Sequence, residues 1–524
     1  MSNTRAAWLF VIILTAIRLA MIGTRDLEFD EAHYWLWSDR LAPAYFTKGP
    51  GVALAVRAGT AMFGPNEFGV RCLSPLLAAA TSLLLFYLGR RLFSGTAALW
   101  LVIALNVTPI FTWGAYLMTI DPLSIFFWTA SMFTFWLAIE KSPQFSFYWP
   151  LTGLLIGFGF LSKYTNALEL VSVLLVLALV PRLRQEFKKP GLYSLLGLFL
   201  ACTIPPIVWN ARHAWVTITH LETKGGLTSD AGIHLLEPLR FLGEHFIFYS
   251  PFLFLILAVG IVKSFGRINQ QLKTLFLFWF GAPVFLFYLL LSINKAAAPN
   301  WDALAFIGFG LLAAGIWRDR LESNEWTHRY AAIAAAVALF MSAFAIDSDL
   351  LHSFGFNLAR RDPTNRLQGW QIGSAAVESL RKEWEAKLGE PLFLIADDRD
   401  RASEVSFYLR DKRLAGPGHP PVYIVESQDL LNQFSLWPRY DEFVASTDQK
   451  PQGDDQPYSE GGVNLFTGRS ALFIRDGEHG SLVHNVKEAF ASADPVALLR
   501  VTRYGKPIRT WRIFLCRQYR TLPL

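Results

Sequence analysis

Two acids, Asp30 and Glu31 in "LEFDEAHYWLW", are followed by a lone lysine, Lys48, in "YFTKGPG". A third acid, Asp121, opens the run "MTIDPLSIFFW", and a second lysine, Lys163, interrupts "GFLSKYTNALEL". Together they make a carboxylate base and a pair of cations. A carboxylate among Phe29, Tyr34, Trp35 and Trp37 is partly desolvated, which raises its basicity. That suits it to take a proton from an attacking hydroxyl. Two ammonium groups on the same face would stabilise phosphate charge as a leaving group departs.

Each residue also has a plainer reading. Asp30 and Glu31 fit the first turn of a helix, where acids meet unpaired backbone N–H groups. Asp121 followed by Pro122 reads as an N-cap with Pro at the first helical position. A lysine at mid-bilayer costs about 2.5–3.5 kcal/mol on insertion scales, so Lys163 either lines a cavity or snorkels to the surface. The Gly-Pro-Gly after Lys48 specifies a turn and says little about chemistry.

Other chemistries lack their residues. The ten histidines show no H-x-x-x-H or H-E-x-x-H spacing, and His220, His234 and His245 read as ordinary residues in or beside a loop. No P-loop and no GxGxxG is present, which argues against nucleotide hydrolysis and against a soluble nucleotide-sugar donor. Cys72, Cys202 and Cys516 are too scattered for a disulfide framework or a cysteine zinc site.

The elements that would position these residues are membrane helices. The chain is 53% hydrophobic and 17% charged, against about 25% charged in soluble proteins. The deficit lies before about residue 346, which divides the chain into a membrane body, 1–346, and a soluble tail, 347–524. A span needs about 20 apolar residues, with a range of roughly 17–25. About eleven candidates follow: 7–23, 69–89, 96–114, 121–140, 148–163, 165–181, 191–209, 243–262, 273–292, 302–317 and 329–346. The first has no small-residue cleavage site after it and reads as a retained helix.

With the N-terminus in the cytoplasm, the inside loops are "GRRLFSG", "EKSPQFSF", "PRLRQEFKKPG", "KSFGRINQQLK" and "RDRLESNEWTHR". Nearly all are rich in Lys and Arg. The outside loops "WGAYLMTID" and "INKAAAPNW" share one Lys. This is the positive-inside pattern, and it also accounts for the net charge of +6 without nucleic acid. It puts the loops 24–68 and 210–242 and the tail outside. Within the first loop, 29–40 and 50–63 have helical spacing and could lie in the interface plane, with Trp35 and Trp37 at headgroup level. In the tail, helical patterns ("GWQIGSAAVESLRKEWEAKL", "RASEVSFYLRD") alternate with strands ("PLFLIAD", "PVYIVES", "SALFIRDGE", "TWRIFLCRQY"), which predicts a small α/β domain.

The order of these motifs resembles the polytopic GT-C glycosyltransferases, the dolichyl-phosphate-mannose protein mannosyltransferase and bacterial aminoarabinose transferase group. "LLIGFGFLSKYTNALEL", "NKAAAPNWDALAF" and the tail segments "FLIADDRDRASEVSFYL" and "ALFIRDGE" extend the likeness over nearly the whole chain. The resemblance implies that Asp30 activates the acceptor, that Asp121 is a second essential acid, and that Lys48 and Lys163 hold the donor phosphate. Glu31 follows Asp30 as in the family pattern. One departure is Thr47, which stands where the aminoarabinose transferases place an acid associated with a metal; no metal or other cofactor is therefore expected.

The function so implied is transfer of a sugar from a polyprenyl-phosphate carrier, with inversion, to a lipid, glycan or protein acceptor at the periplasmic face of the inner membrane. Membrane lipids are the surroundings and nucleic acid is not a partner. Two alternatives stand beside it. A transporter or flippase would need charges inside the spans and repeat symmetry with broken helices. An assembly or sensor protein would bind its ligand through the outer α/β domain alone.

Overall fold

The structure is a computed structural model and describes residues 2–224, 232–268, 270–294, 297–355, 362–412, 421–425, 427, 429–441, 444–445, 463–464 and 466–520. The chain divides into two compact units, Met1–Gly23 with Leu41–Asp347, and Thr24–Arg40 with Ser348–Leu524. The segment directly after the first helix, Thr24–Arg40, is part of the second unit.

The first unit is helical. Its elements are α1 (Asn3–Met21), α3 (Gly51–Phe63), α4 (Glu67–Arg71), α5 (Leu73–Leu92), α6 (Gly95–Val107), α7 (Pro109–Tyr116), α8 (Ile120–Glu140), α9 (Tyr148–Ser162), α10 (Leu168–Leu179), α11 (Pro190–Arg212), α12 (Val216–Lys224), α13 (Glu237–Phe248), α14 (Pro251–Ser264), α15 (Leu272–Trp279), α16 (Ala282–Asn294), α17 (Ala305–Ser323) and α18 (Glu325–Ile346); α2 (Phe29–Asp39) belongs to the second unit. Among the described residues six helical stretches are long and apolar enough to cross a membrane. The number rises to nine if each of three bent pairs is one span: α6 with α7 (69°), Tyr164–Leu179 with Pro181–Lys188 (117°), and α13 with the helix after it (118°).

Each of the eleven expected runs contains helix, but runs are not spans. Tyr148–Ser162 has 15 residues, about 22 Å of helix and short of a hydrocarbon core. Ala305–Ser323 ends in Arg318, Asp319, Arg320 and Glu322, which cut its apolar length. Breaks follow local chemistry: Pro109 and Pro251 each start a new helix at its first turn, where the missing N–H costs nothing. The core is aromatic. Phe135 lies 5.8 Å from Trp149 and 5.9 Å from Phe280, and Trp128 and Phe276 are buried beside them.

The second unit carries α2, α19 (Asp349–Ser353), α20 (Trp370–Leu388), α21 (Arg399–Tyr408), α22 (His484–Ala489) and the strands β1 (Phe393–Ala396), β2 (Val422–Ile424), β3 (Val444–Ala445), β4 (Val463–Asn464), β5 (Ala471–Asp476), β6 (Phe490–Arg503) and β7 (Lys506–Tyr519). The main sheet has the order β2-β1-β5-β7-β6. β1 pairs parallel with β2 and β5 and is buried throughout, as a run "FLIA" without alternation should be. β7 pairs antiparallel with β5 and β6. β6 and β7 meet at Tyr504 and Gly505, both with positive φ (50° and 74°), the backbone of a two-residue hairpin loop. Pro495 is tolerated in β6 because that strand is an edge and bulges there.

One expectation is corrected here. Trp35 and Trp37 do not lie open to a membrane interface; they are 5% and 1% exposed inside the second unit, with Trp35 edge-on to Phe407 at 5.1 Å. The aromatic face of α2 is matched by an apolar face of α21, so burial between protein elements replaces the membrane interface. The tie is polar as well: the backbone N–H of Leu27 donates to the Tyr408 hydroxyl at 2.9 Å, and that of Trp370 to Asp26 Oδ2 at 2.7 Å.

Helices α9 and α11 approach through Gly153. A Cβ there would stand 2.1 Å from the Leu195 carbonyl oxygen, whereas one on Gly197 would meet nothing within 4 Å. Small residues let membrane helices touch backbone to backbone. Gly153→Ala is expected to destabilise the protein by about 1–3 kcal/mol through overpacking. Gly197→Ala is expected to leave stability unchanged or slightly raised; thermal unfolding of the two variants in detergent tests the contrast.

Candidate functional site

Helix α9 ends because Lys163 takes an extended conformation (φ −148°), and the chain resumes as a short turn, Tyr164–Ala167, before α10. The break is locked by Asn166, whose Oδ1 accepts from Ser124 Oγ at 2.5 Å and whose Nδ2 donates to the Ser124 carbonyl at 3.1 Å. The Lys163 side chain is therefore delivered from a helix end, and it is 8% exposed.

Its Nζ donates to Asp121 Oδ1 at 2.9 Å and to the carbonyls of Asn300 and Trp301 at 3.3 and 3.2 Å. An ammonium has three protons, and these contacts use all of them. Asn300 Nδ2 donates to the other oxygen of Asp121 at 3.0 Å. The capping explanation of Asp121 is corrected: the N-cap of α8 is Thr119, whose hydroxyl accepts from the Asp121 N–H at 3.3 Å. That leaves the Asp121 carboxylate to the lysine.

The loop that receives Lys163 is anchored from behind. Asp302 and His245 are fully buried, with His245 Nε2 at 2.9 and 3.1 Å from the two carboxylate oxygens. Nδ1 lies 2.6 Å from the Phe241 carbonyl. A carbonyl can only accept, so Nδ1 carries hydrogen and one further proton lies between Nε2 and the carboxylate. The rings of Tyr249 and Phe306 stack on His245, each at 5.3 Å. The sequence treats His245 as an ordinary residue at a loop edge; it is instead a buried partner of an acid. Asp302, within the quoted run "NWDAL", could have been noticed as a carboxylate entering an apolar helix.

Lys48 is presented by a turn that touches the same helix end. The Tyr45 N–H donates to the Lys48 carbonyl at 2.9 Å, and Tyr45 itself is buried. A Cβ on Gly49 would lie 2.2 Å from the Leu161 carbonyl oxygen, and one on Gly51 2.6 Å from Ser162 Oγ. The Gly-Pro-Gly thus does more than turn the chain. It lets the backbone after Lys48 lie directly on the two residues that precede Lys163.

In the second unit, Glu28 and Glu31 form a capping box at the start of α2. Glu28 Oε2 accepts from the Asp30 N–H at 3.0 Å, and Glu31 Oε2 from the Glu28 N–H at 3.0 Å. Glu31 is fully buried. Its carboxylate serves the helix start, the plainer of the two readings. Asp30 points elsewhere: its Oδ1 is 3.2 Å from Arg399 Nη2, and Arg399 Nε is 3.2 Å from Asp400 Oδ1. Asp30 is about a third exposed, at 35%. Arg399 is a partner that the sequence did not single out, although its segment "ADDRDRASEV" was noted. Burial, with Asp30 and Glu31 adding to it, pushes the Glu28 carboxyl up to about 8. Burial also raises Glu404, on α21, well above the usual carboxylate range.

Asp121 and Lys163 are thus in direct contact, with the Lys48 turn against the same helix end, while Asp30 and Glu31 share one helix start in the second unit. Among the described residues no three His, Cys, Asp or Glu side chains are grouped to hold a metal ion. Lys295, the lysine of the loop "INKAAAPNW", lies outside the described residues.

The chain is similar to several known proteins. Residues 47–209 match the family described as dolichyl-phosphate-mannose-protein mannosyltransferase. The chain is 25% identical over 431 residues to the lipid A galacturonosyltransferase RgtD of Rhizobium johnstonii, covering 81% of this chain and 87% of that one. It is 29% identical over 385 residues to the undecaprenyl phosphate-alpha-4-amino-4-deoxy-L-arabinose arabinosyl transferase of Erwinia tasmaniensis, with 65% and 66% covered. The fold is that of ArnT from Cupriavidus metallidurans, solved bound to undecaprenyl phosphate, with a TM-score of 0.60 over 97% of both chains at 17% identity.

The displaced Glu28 group gives the second unit a pH signature. Its folded value of about 8 exceeds the ordinary 4.5, so between these values the folded state holds more proton than the unfolded state. Its contribution to stability is therefore full below about pH 4.5 and is lost as pH rises through about 8. Glu28→Gln keeps the acceptor for the Asp30 N–H and is expected to flatten the fall in stability between pH 5 and 8, read by denaturant titration at each pH.

Proposed function

We propose, for a chain that belongs to the GT-C glycosyltransferases of the protein mannosyltransferase and aminoarabinose transferase group, a specific division of labour in moving a sugar from a polyprenyl-phosphate carrier to an acceptor. It is an integral membrane enzyme with several spans. Lipopolysaccharide is the acceptor class we favour, because a relative matched over 87% of its length is a lipid A galacturonosyltransferase. The Lys/Arg-rich loops support a cytoplasmic N-terminus, a membrane domain over 1–346 and a periplasmic domain over 347–524.

The observation that carries the proposal is the buried Lys163–Asp121 pair with the Lys48 turn packed against the end of α9. A charged lysine inside a membrane unit is expensive and marks a site. Asp121 holds Lys163 ionised and aimed. A donor phosphate takes over from the two longer carbonyl contacts at Asn300 and Trp301, and Lys48 supplies a second cation. The acceptor oxygen attacks the anomeric carbon and forms the new C–O bond. The bond from that carbon to the phosphate oxygen breaks, and polyprenyl phosphate leaves with its charge held by the lysines. Asp30 takes the hydroxyl proton. One displacement inverts the anomeric centre. Glu31 supports Asp30 through the capping box. No step calls for a metal or a cofactor. The comparisons return transferases, which leaves the transporter alternative without support.

The test uses the full chain in nanodiscs with a synthetic polyprenyl-phosphate sugar and lipid A. Asp30→Asn is expected to lower kcat by about 10²–10⁴-fold, the range for a lost general base, with donor binding retained. Lys48→Ala is expected to weaken donor binding as well as turnover. Glu31→Gln, which preserves the cap, is expected to keep most activity. Turnover by Asp30→Asn at the parent rate would remove Asp30 from the chemistry, and retention of anomeric configuration by NMR would rule out the single displacement.

A further inference from the structure

Between α6, α14, α17 and α18 the first unit holds an apolar groove of about 420 Å³. It follows α17 from Phe306 to Arg320, about 21 Å at 1.5 Å per residue. That exceeds the ~15 Å half-thickness of a bilayer's hydrocarbon core. Gly310 and Ala313 give the groove its depth, and aromatic and aliphatic side chains close its inner end.

The other end is basic. Arg320 and Lys263 both lie over the Trp317 ring, at 5.4 and 4.6 Å. Two of the acids nearby are engaged, Asp319 with Arg318 at 2.7 Å and Glu325 with Arg329 at 3.9 Å, while Glu322 also lies in this segment. Among the described residues neither Lys263 nor Arg320 forms an ion pair. A third donor is tied to the groove wall through Trp100. Trp100, which lines the groove, donates its indole N–H to His328 Nδ1 at 3.1 Å. An indole nitrogen only donates, so Nδ1 accepts and the ring proton resides on Nε2.

We propose that this groove binds one acyl chain of an anionic phospholipid, with the lipid phosphate held at the mouth by Lys263, Arg320 and the His328 Nε2–H. Charge complementarity selects this occupant: a zwitterionic lipid would bring its own cation to a mouth already carrying two. The chain would also buttress the wall of Tyr249 and Phe306, the two rings that stack on His245.

Native mass spectrometry of the full chain, titrated with phosphatidylglycerol or phosphatidylethanolamine of the same acyl composition, tests this. Phosphatidylglycerol is expected to bind in preference. Each cation near a membrane surface contributes roughly a fivefold effect, so Lys263→Gln with Arg320→Gln should weaken that binding about 25-fold. Both positions are exposed and the double variant should keep its thermal midpoint. Ala104→Phe, which fills the groove, should lower binding without touching the charges. Equal binding of the two lipids overturns the proposal. So does unchanged affinity of the double glutamine variant, survival of the phosphatidylglycerol adduct in folded Ala104→Phe, or one-for-one displacement by polyprenyl phosphate.

Discussion

The ammonium of Lys163 is taken out of solvent within a helical membrane unit, and much of the surrounding structure follows from keeping it charged. Removing one member of a buried ion pair costs about 3–5 kcal/mol, because the other charge is left uncompensated. The pair therefore requires α8 to start where it does, α9 to stop where it does, and the loop at 300–302 to offer two carbonyls and an amide. Thr119 makes the first of these possible by capping α8, which releases Asp121. Asn166 makes the second possible by bonding back to Ser124. The His245–Asp302 contact makes the third possible by fixing the loop from its far side. None of these residues needs to touch a substrate to matter to the site.

Backbone proximity is the second constraint. The turn bearing Lys48 and the end of α9 are closer than any pair of side-chain-bearing residues would allow, at both Gly49 and Gly51. Pro50 between them restricts the turn to few conformations. A rigid turn seated against a helix end fixes where the backbone presents the Lys48 cation.

Long-range features of the fold were legible because they are written in composition and period. The membrane body, the α/β tail and helices such as Trp370–Leu388 follow from apolar runs and from 3.6-residue spacing. β6 was missed because its small residues and Pro495 do not read as a strand; its pairing with β7 supplies what local propensity lacks. Against the eleven expected spans, six helices among the described residues are long and apolar enough to cross a membrane, or nine if each bent pair is one span; hydropathy registers a run but not a bend such as that of 118° between α13 and the helix after it. Of the site, the acids and lysines were visible as charges out of place among apolar residues. Their partners were not. Arg399, Asn300, Asp302 and His245 acquire meaning only through contacts between segments far apart in the chain, and a single sequence carries no record of those. Trp35 and Trp37 misled for the same reason: an aromatic helix face looks alike whether it meets headgroups or α21.

Four carboxyls of like intrinsic chemistry end with different duties, and environment alone separates them. Glu28 is buried beside two other acids, so it favours the neutral form and serves as an acceptor at a helix start. Glu31 is buried as well, and its oxygen is committed to the backbone. Asp121 is committed to a cation that it must keep ionised. Asp30 alone of the four combines partial exposure with a guanidinium as partner, at 3.2 Å. A proton acceptor for a substrate hydroxyl has to be reachable, and it has to hold its charge until the hydroxyl arrives. Burial denies the first condition to Glu28 and Glu31, and a close lysine, already hydrogen-bonded, denies it to Asp121. The same reasoning explains why the two acids adjacent in sequence at the start of α2 are not interchangeable: one side chain folds back to close the helix, and the other projects away from it.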